Sequence, residues 1–518
     1  MADPSGMGDT RSRSEHRTAL RLPRTASAAD RRANRRGAID VARCLALVVV
    51  VFGHLGMAVV DRHAGTVRGA NLFALRPGWS WIAFAAPMPI FFAAAGWANA
   101  SSTLTNAAGR LRALVGLTGM VVAAWSVPVI LASLLAGGPG GMGSGARLAT
   151  QPLWFLAAYL PLAAAGGALA QLAAKRPATA IGTCVATLAV LDLIRFVLHG
   201  PGWIGWVGFL PAWSAPALAG AWWRARHEAG AFQERRVGLT LLVGFGTAGA
   251  ALVAFGGYQA SLIDAVPGAR SNTSPPTLYT AIVALAQVGA LMVAAGALDQ
   301  VGRRARALWD WLGAAAVGIY LWHLSALVMG AGLIGLGLPT PERLTRAWWL
   351  TRPLWFAIVL GLAAALVAGT AAIRTRLASP TSRATAGPPR CAWLGITIAS
   401  VAAATVGLKG PTSLGWAAIC TALFAMAWWF MSVATIREGH SVNESRRSTV
   451  DNTSTPCPSG SDTHTADTSN AASPTATVRR PPQWRATATL PPAAIAPTPP
   501  SNHIRALPSA DARRVKPR

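Results

Sequence analysis

Residues 39–59 read IDVARCLALVVVVFGHLGMAV. About 20 apolar residues suffice to cross a bilayer as a helix, and this run reaches that length. It also holds three ionisable side chains, Asp40, Arg43 and His54. At 100° per residue, Arg43 and His54 lie about 20° apart around the helix, and Asp40 about 40° to the other side of His54. One face therefore carries all three. Arg43 lies near one end, and His54 is roughly 16 Å further along at 1.5 Å per residue. Gly53 and Gly56 flank the imidazole and leave room for a ligand or another backbone.

Working outward, runs of similar length recur at 81–100, 113–136, 153–173, 179–198, 204–223, 237–256, 278–298, 312–336 and 353–373. A further Ala-rich pair follows at 391–408 and 411–435. Gly- and Pro-rich stretches such as Gly137–Gly145 and Ser274-Pro275-Pro276 read as the connecting loops. The expectation is an all-α polytopic membrane protein of 10–12 transmembrane helices. The composition agrees: of 518 residues, 53% are hydrophobic and 13% charged, against roughly a quarter charged in soluble proteins.

The net charge of +27 invites a nucleic-acid reading, but its distribution excludes one. Residues 1–37 hold nine Arg and 437–518 hold eleven Arg or Lys, while the rest occur mostly as pairs between apolar runs. That is a topology signal. With the N-terminus in the cytoplasm, inner segments through 390 carry 24 basic residues and outer loops nine. The expected placement is a cell membrane, multi-pass, with the N-terminus cytoplasmic. No small-residue cleavage site follows the first apolar run, so it reads as an uncleaved helix. Residues 1–37 and 437–518 lack an apolar pattern and read as disordered tails. Segments 38–375 and 391–435 read as a main transmembrane domain and an added hairpin.

Cys44, Cys184, Cys391 and Cys420 fall within apolar runs and Cys457 in the polar tail. No ligand spacing joins them, so neither a disulfide framework nor a metal site is expected. A GxSxG elbow, a P-loop and an HExxH pair are all missing, which argues against a serine hydrolase, a nucleotide-driven pump and a zinc protease. Ionisable groups at membrane depth mark functional sites. The competing reading is an Asp40–Arg43 anchor with His54 bonded to a neighbouring helix, and the three-residue alignment favours a site. Asp192 and Arg195 read as an ion pair within one helix. His323 reads first as a structural hydrogen bond and second as a catalytic or substrate residue. Trp154, Tyr159, Trp348 and Trp349 read mostly as interfacial anchors.

Arg43, ten residues and then His54, preceded by Ile39-Asp40, resembles the first helix of the acyltransferase-3 family of integral membrane acyltransferases. Pro87-Met88-Pro89-Ile90-Phe91-Phe92 with Gly96 resembles its second helix, with Ala95 where a Ser is common. Arg110 and Arg112 resemble the basic pair opening its third helix, and Leu153-Trp154-Phe155-Leu156 with Tyr159 resembles its fourth. Asp192 with Arg195, Ser274-Pro275-Pro276-Thr277, Tyr320-Leu321-Trp322-His323 and Trp348-Trp349 followed by Arg352-Pro353 resemble an actinobacterial-type branch. That branch often carries a His near Gly205–Gly220, where this chain has none.

The resemblance covers about 39–373. It implies an O-acyltransferase that takes an acyl group from acyl-CoA, a co-substrate rather than a bound cofactor. The acceptor would be a hydroxyl of a glycan, glycolipid or glycosylated metabolite. It implies His54 as general base, with Arg43, Asp40, Arg110, Arg112 and His323 in substrate binding. The alternative is a transporter or flippase that moves a glycan or lipid without acyl transfer. Such a protein would show inverted repeats with broken helices, and no internal repeat is evident.

Overall fold

The computed structural model describes the backbone of residues 36–377, apart from 64, 103, 231, 265 and 267, and of residues 389–451; side chains are described through Ile373, apart also from 104–106, and from Cys391 to Ser432. Residues 1–35 and 452–518 of the expected tails, and Cys457 with them, lie outside the described residues. Ten helices among the described residues are long and apolar enough to cross a membrane. The count is eleven if a pair bent by 69° is one span. The chain is an all-α polytopic membrane protein, with one small exception in its secondary structure.

That exception follows the first helix directly. Helix α1 (Gly37–Met57) ends two residues before the apolar run does. Ala58–His63 and Thr66–Asn71 pair as an antiparallel hairpin, β1–β2, with Asp61 opposite Arg68. Val59 and Val60 are β-branched and favour a pleated chain; hydropathy alone assigns them to the helix. The hairpin caps one face of the bundle. The opposite face carries the start of α1 at Arg36.

Gly137–Gly145 is not wholly a loop, since a helix begins at Gly140. The chain runs on as α2 (Met88–Asn99), α3 (Leu104–Ala136), α4 (Gly140–Thr150) and α5 (Trp154–Ala164). The expected single span 153–173 is likewise broken, with α6 (Gly166–Lys175) turning away by 69°. The glycine pair at the break explains the turn. A Cβ on Gly166 would press against Asn99, and one on Gly167 would lie 2.8 Å from the Ser102 carbonyl.

Helices α7 (Pro177–Asp192), α8 (Phe209–Glu228), α9 (Glu234–Phe255), α10 (Leu278–Arg304) and α11 (Arg306–Gly335) follow. Then come α12 (Arg352–Leu377), α13 (Pro389–Lys409) and α14 (Leu414–Asp451). Helix α8 is not among the ten, yet its middle is buried on all sides, Trp213 and Trp223 included. Its close partner is α2. A Cβ on Gly96 would overlap the backbone of Ala217, and one on Gly220 would overlap that of Ala93. Small residues on both sides let the two backbones touch, the usual means of helix association where lipid offers no hydrophobic drive.

Asp192 does more than pair with Arg195 at 3.3 Å. It also accepts from the Tyr258 hydroxyl at 2.9 Å and from the Leu278 amide at 2.7 Å, tying the end of α7 to the start of α10. The added hairpin is integral to the bundle. Ile396, Ala399, Ala402 and Phe424 share one core with Phe155 and Trp213. The backbone of α14 continues past 435, where the apolar pattern stops, to Asp451, in a stretch free of Pro. Cys44, Cys184, Cys391 and Cys420 are free thiols.

Candidate active site: a histidine pair and a basic cleft

Helices α1 and α11 lie side by side and bring together two imidazoles 269 residues apart in sequence. His323 Nε2 and His54 Nδ1 are 3.1 Å apart. His323 is fully buried, and its Nδ1 lies 2.6 Å from the Tyr320 carbonyl one turn earlier. Tyr320 is held in turn: its hydroxyl donates to the Pro152 carbonyl at 2.8 Å. Its ring packs 5.4 Å from Phe155 and 6.4 Å from Phe91. The chain of support runs from the α4–α5 joint through Tyr320 and His323 to His54.

These contacts constrain where the protons sit. A carbonyl only accepts, so His323 donates from Nδ1 to Tyr320. With both rings neutral, His323 Nε2 accepts and His54 donates to it from Nδ1. The lone pair of His54 Nε2 is then left outside the chain of bonds. His54 is half-buried, and a Cβ on Gly53 or on Gly56 would meet nothing within 4 Å. The His54 ring thus keeps an accessible part in an otherwise packed bundle.

Towards the Arg36 face, Arg43 bonds Asp40 at 3.2 Å and lies beside Gly313 of α11. Its Nε is buried with no hydrogen-bond partner. Asp40 also lines a cleft of about 450 Å³ that opens on this face. Arg303, Arg306, His227, Trp97 and Trp309 contribute to the same cleft.

Sequence reasoning missed the residue that anchors this region. Arg36, assigned to the disordered segment, donates to both oxygens of Glu234 at 2.5 and 2.8 Å and to Asp299 at 3.2 Å. Asp299 also accepts from the Ala38 amide at 2.6 Å. The guanidinium lies 5.2 Å from the Trp223 ring centre. Glu234 and Asp299 stand among basic residues at the ends of apolar runs; only that isolation could have signalled them.

Arg110 and Arg112 lie near the start of α3, away from the histidines. Arg110 donates to Ser102 at 2.9 Å, and neither arginine lines the cleft. The interfacial-anchor reading fails for one aromatic residue and is incomplete for two others. Trp348 is fully buried, while Trp154 and Tyr159 pack onto the main core. Among the described residues no group of three or more His, Cys, Asp or Glu could hold a metal ion.

The family model described as an acyltransferase domain, that of the acyltransferase-3 family, matches residues 36–373, more than half of the chain. No curated protein and no solved structure matches it.

Proposed function

The chain belongs to the acyltransferase-3 family and is a membrane acyltransferase, and on that premise we propose that it moves an acyl group from acyl-CoA to a hydroxyl of a glycan, glycolipid or glycosylated metabolite. The observation that carries the proposal is the His54–His323 pair, with His54 partly accessible. An alcohol attacks a thioester slowly unless a positioned base removes its proton, and imidazole suits that task at neutral pH. His54 Nε2 takes the hydroxyl proton as the oxygen attacks the acyl carbon. The C–S bond then breaks, and the thiolate of CoA leaves and takes up a proton. His323 is a positioning residue that orients the His54 ring.

The donor's charged end occupies the cleft on the Arg36 face, where Arg303 and Arg306 are exposed. Arg43, between cleft and histidine, holds a phosphate of the same donor, and Asp40 orients Arg43. The separation of roughly 16 Å along the helix from Arg43 to His54 is comparable to a pantetheine arm. By the positive-inside bias, the Arg36 face is cytoplasmic and the bilayer is the cell membrane. Arg110 and Arg112 are reserve phosphate contacts at the rim of that face.

Mass spectrometry of envelope glycans and exported glycolipids, with and without the protein, tests this reading. The expected result is an acyl-sized mass increment that disappears when the protein is absent and stays absent with His54→Ala. Glycans that keep every acyl group but accumulate on one side of the membrane would favour the transporter.

A further inference from the structure

At the hairpin face, the start of α12 contains a buried cation without a counter-charge. Arg352 is only 8% exposed. Its Nε and Nη1 are buried with no hydrogen-bond partner, and no carboxylate pairs with it among the described residues. Instead its guanidinium lies 3.9 Å from the Trp348 ring centre and 5.2 Å from that of Trp355. Both indole Nε1 atoms are also buried and unbonded. Four buried donor atoms without an acceptor therefore sit on three neighbouring side chains. Asp61 of β1, an acid on this face, pairs with Arg343 at 3.9 Å.

The seat is rigid and close to the histidine pair. Trp348 sits in a short helix, Arg346–Leu350, capped by Thr345, and Thr351 donates to the Trp348 carbonyl at 2.8 Å. Trp355 shares a core with Leu55, the neighbour of His54, and with Leu324, the neighbour of His323. Phe356 sets its ring edge-on to Phe52 at 5.8 Å. A group held at Arg352 thus lies against the core that Leu55 and Leu324, the neighbours of the two histidines, help to form.

Buried charges left uncompensated are costly, so such a group is either paired or awaits a ligand. The edge of a planar guanidinium matches a planar or tetrahedral oxyanion, which would accept from the two arginine nitrogens left without partners. We propose that the acceptor is anionic and that its phosphate or carboxylate is bound by Arg352, with Trp348 and Trp355 as walls. This rests on the acyl-transfer reading, in which an acceptor approaches His54. The anion selects the acceptor and sets its hydroxyl against the imidazole.

The test is thermal unfolding of the whole protein in maltoside micelles, a detergent without phosphate. Sodium phosphate and sodium glucuronate are titrated against sodium chloride at matched ionic strength. The native protein should gain a saturable rise in midpoint with at least one of the two. Arg352→Gln should weaken that response by roughly 10- to 100-fold, the usual loss when a hydrogen-bonded charge is removed. Without anion, Arg352→Gln should unfold no earlier than the native protein, because an unpaired buried charge is gone. His54→Ala should keep the full anion response, so a failed catalytic assignment and a failed anion site are told apart. An equal response in Arg352→Gln would overturn the proposal. So would a shift given only by phosphatidylglycerol added to the micelles, which would mark a lipid headgroup.

Discussion

His54 and His323 illustrate what a sequence shows at the scale of single residues. Asp40, Arg43 and His54 were legible because one helix fixes their spacing, and α1 is continuous across all three. The 3.1 Å contact to His323 was not, because it depends on how α11 packs against α1, and no local pattern encodes that. The pairing yields a prediction about replacements. His323→Asn retains an oxygen that accepts from His54 Nδ1, whereas His323→Phe retains only the ring shape. Acyl transfer by purified protein should therefore rank native above His323→Asn above His323→Phe. Both losses should be smaller than the roughly 10²–10⁴-fold expected for the base itself. Equal rates in the two variants would show that the hydrogen bond does not position His54.

At the scale of elements, apolar length gave the helices, while their ends and bends answered to other causes. Val59 and Val60 left α1 for a hairpin, and Gly166-Gly167 bent a span that hydropathy reads as continuous. Arg36 was invisible because its partners Glu234 and Asp299 come from two distant helices. Arg36→Ala would strand two mostly buried carboxylates, a change that costs about 3–5 kcal/mol when a buried ion pair loses one partner. A lower unfolding midpoint in detergent, with Arg36→Lys retaining part of the difference, is the expected outcome. Gly96→Val and Gly220→Val should each separate α2 from α8 and reduce the yield of folded protein. Gly53→Ala, whose Cβ meets nothing, should leave folding unchanged and instead narrow the space beside His54.

The family match ends at 373, but the core does not. Ile396, Ala402 and Phe424 of the last two helices fill the same interior as Phe155. Their Ala-rich runs were readable as helices. Their burial against α3 and α5 was not, since Ala is equally at home facing lipid or protein. Deleting 389–518 should therefore collapse the yield of folded enzyme, while deleting 452–518 should leave acyl transfer unchanged. Comparison of both truncations by size-exclusion profile and activity checks this. Orientation is a separate question for the whole molecule. In a cysteine-free background, Arg304→Cys should resist impermeant thiol reagents in intact cells, and Arg270→Cys should react. The opposite pattern would move the donor cleft to the far side of the membrane.

The central claim is that His54 is the general base for acyl transfer. Its most direct test is the rate at which His54→Ala, reconstituted into vesicles at native density, transfers a labelled acyl group from acyl-CoA to a glycan acceptor. The expected fall is roughly 10²–10⁴-fold, with insertion and unfolding midpoint close to native. A properly inserted His54→Ala protein working at the native rate would contradict it.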